Sequence, residues 1–164
     1  MKDMILQMGN LDYFEIAGDG NFYINNRSLI EIIKEIEITC IAKEIEKYKY
    51  VPEDDEDPYL IAGDYMPIPL WMIQFPSRYL LDEPKDFTRH FGIDLDDPRR
   101  NKTTLLGCPC TEIECWFLLA KVTLTEETVT WSDFSQFHRN EWEYNLSFTF
   151  ARKQYESQLN KIFI

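Results

Sequence analysis

The sequence predicts an α+β fold, a single domain over residues 1–164 with an antiparallel sheet and two main helices. Three observations predict it. Short alternating apolar runs separated by turn residues occur near the start and again in the last third. A capping signal precedes a long helical stretch in the first third. A second amphipathic segment closes the chain. The length suits one domain. A domain of this size buries roughly 70% of its unfolded surface, so no staple is needed for folding. The aromatic share, 15%, points to a substantial core rather than to disorder.

Taken in order, "MILQM" is a short apolar run and "YFEIA" alternates like a half-buried strand. "GDGN" is a turn signal, and "FYIN" returns as the partner strand, so residues 4–25 read as a small antiparallel unit. Ser28 and Glu31 form an S-x-x-E capping box, followed by Leu29, Ile33 and Ile36 and then Ile41, Ile45 and Tyr48 at helical spacing. A helix is expected from about 28 to 48, with a bend near Thr39 where the β-branched run "ITCI" lowers helix propensity. Cys40, in that run, reads as helix packing.

"VPEDDEDPYL" holds five consecutive acids between Pro52 and Pro58 and reads as a solvated loop. It lacks the alternating ligands, the glycine and the distal glutamate of a calcium loop. From Tyr59 to Leu81 the chain is apolar, but Pro67, Pro69 and Pro76 oppose long regular elements. The polar stretch that follows suits a short helix and a loop, with Asp94, Asp96 and Asp97 as loop and cap residues. In the last third, "KTTLLG" leads into a cysteine-rich segment. "CWFLLAKVTL" and "TVTWSDF" read as a hairpin across "TEE", and "LSFTF" as a third strand. "ARKQYESQLNKI" closes as a helix with Tyr155, Leu159 and Ile162 on one face.

Seventeen basic residues against 29 acidic ones give a formal net charge of −12. That field repels phosphate backbones and anionic membrane surfaces, so neither nucleic acid nor membrane is expected as a partner. An acidic surface suits solubility or a basic partner protein. The opening "MKDMILQMGNLDYF" does not read as a signal peptide, and no apolar run approaches the ~20 residues that span a bilayer, so a cytoplasmic location is expected. Four cysteines in such a chain are not a disulfide framework. Nothing in the sequence sets an oligomeric state.

Three of those cysteines, Cys108, Cys110 and Cys115, form C-x-C-x4-C with Trp116 directly after. On an extended strand Cys108 and Cys110 share a face, and a turn brings Cys115 back. Zinc takes four Cys or His ligands, and His138, just past the hairpin that Cys115 begins, is the candidate fourth. A thiol nucleophile would instead need His138 or His90 within hydrogen-bond reach. The chain has no C-x-x-C redox motif. Small cysteines packed beside Trp116 remain the simpler reading. Downstream, "VTWSDFSQFHRNEWEYNLSFTF" is rich in aromatics that alternate as core. His138, Arg139 and Trp142 are its most polar point and the candidate binding corner, with Arg139 and Trp142 spaced to stack.

"LLGCPCTEIECW", "VTWSDFSQFHRNEWEY" and "FTFARKQYESQL" together resemble a family of small uncharacterised bacterial proteins. The shared pattern is Gly107, Cys108, Cys110, Cys115, Trp116, Trp131, Phe134, His138, Arg139, Trp142, Tyr144 and Tyr155. The resemblance covers the last third well. Before Leu105 it is limited to the strand–helix opening and "IAGDY". Thr111 and Glu114 stand where members of that family often have glycine. The family brings no established activity, so the resemblance implies fold and motif only.

The function expected from sequence is a non-catalytic protein-interaction domain of immunity or accessory type, with no catalytic residue assigned. The alternatives are a small structural-zinc domain using Cys108, Cys110, Cys115 and His138, and an enzyme with a cleft near His138, Arg139 and Trp142.

Overall fold

A computed structural model describes residues 10–49, 57–68, 79–81, 93–94, 96–110 and 115–162. Its fold is α+β: the described residues form two long helices and two antiparallel sheets. The small sheet joins β1 (Phe14–Ile16), β2 (Phe22–Ile24) and β3 (Arg27–Ser28). Gly20 takes φ +89° in the β1–β2 turn, where an L side chain is strained, and Asp19 accepts the Asn21 N–H at 3.0 Å. The antiparallel unit expected here is present from Phe14 onward, while "MILQM" lies outside the described residues.

Helix α1 (Leu29–Tyr48) follows directly and runs through Thr39 without interruption. Ser28 stands at its N-cap but makes no side-chain capping bond, so the capping box predicted with Glu31 does not form. Ser28 is already paired with Tyr23 in β3, and the chain passes from strand to helix without a free turn. Lys49 ends α1 in the left-handed conformation.

The large sheet has the order β4-β5-β6-β7-β8 and curls into half a barrel. Its strands are β4 (Met66–Pro67), β5 (Thr103–Gly107), β6 (Leu118–Leu124), β7 (Thr128–Gln136) and β8 (Phe148–Ala151). The β6–β7 hairpin closes as expected across "TEE", with Thr125 Oγ1 accepting the Glu127 and Thr128 amides. Helix α2 (Arg152–Ile162) leaves β8 at once.

A bulge in β7 sets which residues face the helices. Pairing shifts by one residue between Leu119 and Lys121, and Asp133 takes φ 51° opposite the shift. Before the bulge Val129 and Trp131 point into the core. After it Phe134 and Gln136 do, so the extra residue keeps them on the same face. The Trp-x-x-Phe spacing is the sequence trace of that bulge.

The main core lies between the sheet and the two helices. Trp131 is fully buried, packs edge-on against Phe14 and Phe150, and donates Nε1–H to the Tyr155 hydroxyl at 3.1 Å. Tyr155 stacks on Phe14 at 4.6 Å and donates to the Leu80 carbonyl at 2.6 Å. Tyr155 and Leu159 are buried on α2 as expected. Gln154 and Gln158, one turn apart, accept the Phe14 and Ile16 amides and tie α2 to the edge of β1. On the other face of the large sheet Phe117, Leu119, Phe137 and Ile68 form a second, smaller cluster.

Candidate metal centre

β5 and β6 are antiparallel neighbours, so the segment joining them must reverse at one end of the sheet. All three clustered cysteines belong to that connection. Cys108 follows the last residue of β5, and Cys115 lies three residues before β6. Cys108 and Cys110 do not lie on an extended strand, as the sequence reading had it. The chain turns at Pro109 and Cys110, and the turn leaves Cys108 buried while Cys110 and Cys115 are exposed. The three sulfurs nevertheless converge, each within 4.8 Å of the others. They are positioned close enough to bind one metal ion.

The electrostatics follow from that crowding. Burial pushes the Cys108 thiol up to about 11, with the neighbouring Cys110 and Cys115 sulfurs adding to the shift. Three thiolates this close repel one another, so a cation between them would favour the charged forms. A bound metal reverses that logic by deprotonating its thiol ligands.

β7 returns to the same end, because Leu118 pairs with Gln136 and the Phe137 amide donates to the Phe117 carbonyl. His138 therefore does reach the cysteine end. Its ring lies parallel to Trp116, the residue after Cys115, with centroids 6.4 Å apart, and edge-on to Phe117 and Phe137. Among the described residues the mutually close group consists of the three cysteines, and His138 stands outside it. His90 lies outside the described residues.

The predicted corner of His138, Arg139 and Trp142 is brought together around Trp116. The Arg139 guanidinium sits 5.0 Å from the Trp116 ring centroid and 6.0 Å from that of Trp142, and the two indoles meet edge-on at 5.8 Å. Trp142 is buried and donates its Nε1–H to Glu44 at 2.7 Å. A groove of about 560 Å³ opens beside Arg139, bounded by Ile41, Ile45 and Tyr48 of α1 and by Pro58 and Ile61. No cysteine, serine or histidine is among the described residues that line it.

What holds this corner was not evident from the sequence. α1 and the segment 141–144 run past each other joined by four side-chain bonds. Tyr144 reaches Glu37, Cys40 reaches the Glu143 carbonyl, Trp142 reaches Glu44, and Tyr48 reaches Glu141. The helix positions 37, 40, 44 and 48 lie on one face. Glu37 is the deepest of them and is fully buried. Its Oε1 accepts the Gly63 amide at 2.8 Å, and its Oε2 accepts the hydroxyls of Tyr65 and Tyr144, each at 2.5 Å. Burial raises its pKa above the usual carboxylate value, while the Gly63 amide and the two phenols pull the other way. Gln136, also buried, extends the polar layer toward the cysteine end by accepting the His138 amide at 2.6 Å. The signal for Glu37 was its spacing, since Leu29, Ile33 and Ile41 place position 37 on the buried stripe.

No protein-family model, curated protein or solved structure matches the chain. Among the described residues no helix is long and apolar enough to cross a membrane.

Proposed function

We propose that this chain is a small metal-binding domain in which Cys108, Cys110 and Cys115 hold one zinc ion. The observation that carries the reading is the convergence of three sulfurs to within 4.8 Å of one another. Zn–S bonds near 2.3 Å in a tetrahedron put sulfurs about 3.8 Å apart, so only a small closure is needed. Thiolates favour zinc and other soft ions over magnesium or calcium. The ion's role is structural. It fastens the β5–β6 connection to the end of the sheet and neutralises thiolates that otherwise repel, which makes metal binding a contribution to folding. Cys110 and Cys115 are exposed, so the fourth ligand comes from the solvent side. His138, parallel to Trp116 at the same end of the sheet, stands outside the group of three and would have to approach it to fill that position.

Cobalt substitution tests this directly. Co²⁺ added to the reduced chain should give intense sulfur-to-metal charge-transfer absorption with visible bands of tetrahedral type, saturating at one ion per chain. Each of Cys108→Ser, Cys110→Ser and Cys115→Ser should weaken that absorption, and Cys40→Ser should leave it intact. Octahedral bands without charge transfer would contradict the reading.

A further inference from the structure

The cysteine cluster is asymmetric. Cys108 is buried, with 7% of its surface exposed, whereas Cys110 and Cys115 are both exposed. Their sulfurs lie within 4.8 Å, and only four residues separate them in sequence. A disulfide needs S–S near 2.05 Å, so a movement of under about 3 Å joins them. A Cys108–Cys110 bridge would instead span a single intervening residue, Pro109, whose φ is fixed.

We propose that Cys110 and Cys115 are an oxidisable pair, converted by hydrogen peroxide or an organic hydroperoxide into a disulfide that expels the metal. The thiolate of one exposed cysteine attacks the peroxide. An S–O bond forms, the O–O bond breaks, and the leaving oxygen takes a proton to become water, or an alcohol from an organic hydroperoxide. The second thiolate attacks that sulfenic sulfur. The S–S bond forms and the S–O bond breaks, releasing water. With hydrogen peroxide two thiols give one disulfide and two waters; the sulfur pair loses two electrons and the peroxide gains them. A site reduced from three thiolates to Cys108 alone loses its ion. The release step rests on the proposed zinc site, whereas the disulfide step does not.

The test treats the full chain with hydrogen peroxide, both zinc-loaded and metal-free, and follows zinc release with a chromogenic chelator. Digestion with a glutamate-specific protease cuts at Glu112 and Glu114 and separates Cys115 from the other two. The expected result is a mass loss of about 2 Da per chain, reversed by dithiothreitol, a Cys110–Cys115 cross-link and one zinc released per disulfide. Cys108→Ser should keep the cross-link in the metal-free chain and Cys110→Ser should abolish it. Fragmentation of the wild-type cross-linked peptide makes the same assignment if either variant fails to fold. A cross-link in a chain that never takes zinc supports the pair and overturns the metal reading and the release step. Zinc binding with a bridge to Cys108, or with oxidation to sulfinic acid and no bridge, overturns the pair and leaves the metal reading standing.

Discussion

Two regions of this molecule gather chemically active groups, one buried beneath α1 and one half-exposed at the end of the sheet, and they are completed differently. Beneath α1, the Glu37 carboxylate meets an amide and two phenols, so one acceptor group is matched by three donors from the chain itself. At the end of the sheet three sulfurs meet one another. A thiol is a weak donor and a weak acceptor, so sulfur on sulfur adds little. In the first region both Glu37 oxygens find donors in the chain. The second would gain its complement from the proposed cation. A polar cluster whose donors match its acceptors reads as architecture, and one made of a single ligand type reads as a binding site.

The largest effect should come from opening the closed region. Glu37→Ala leaves the Gly63 amide and the Tyr65 and Tyr144 hydroxyls buried without their acceptor, and should cost about 3 kcal/mol or more. For a chain of this size that corresponds to a fall in Tm of roughly 6–12 °C, read by calorimetry. Zinc content should be unchanged in the folded fraction. If Glu37→Ala leaves Tm where it was, the three hydrogen bonds to Glu37 contribute nothing to stability.

Metal removal comes next. Chelation of the loaded chain should lower Tm, and the drop should vanish in Cys108→Ser, because binding to the folded state alone contributes RT ln(1 + [L]/Kd). Apparent zinc affinity should climb as pH rises from about 6 to 8, since each ligand thiol must lose its proton and burial holds Cys108 up at about 11 in the metal-free chain. A zinc affinity independent of pH over that range would speak against thiolate ligation.

A pH effect of opposite sense sharpens the contrast. The folded-state pKa of Glu37 is raised. The folded chain therefore binds its proton more readily than the unfolded chain, and Glu37 disfavours folding increasingly as pH rises through and above its ordinary value of 4.5. The stability of wild type relative to Glu37→Gln should be greatest below that value and should shrink above it. Denaturant titrations of both proteins at several pH values measure the difference, and a constant difference would remove the inferred shift.

The smallest effect is expected at His138. His138→Ala should remove ring packing against Trp116, Phe117 and Phe137 and leave one zinc per chain. Complete loss of zinc would make the imidazole the fourth ligand.

Much of the fold was legible because its elements follow simple periods. α1, the β6–β7 hairpin, β8 and the Tyr155–Leu159 face of α2 all fall where spacing put them. β5 was missed because all five of its residues are buried, so "TTLLG" carries no alternation. β4 was missed because it is two residues long and contains Pro67. The Asp97 cap was legible, and its carboxylate accepts the Arg99 amide at the start of a 3-10 turn. At the site, C-x-C-x4-C located the cluster, but the turn that buries Cys108 and exposes its neighbours is set by sheet closure rather than by local spacing. Glu37 and Gln136 went unread because a buried acid and amide resemble surface residues until their donors and acceptors, distant in sequence, are in place.

One experiment decides whether a metal completes the sulfur cluster. The most direct measurement is zinc per chain on reduced protein, paired with melting before and after chelation. About one zinc per chain, with a Tm that falls on chelation and recovers when zinc returns, is the predicted result. A chain that takes up no zinc and melts identically in chelator would contradict it and make the three cysteines part of the packing at the end of the sheet.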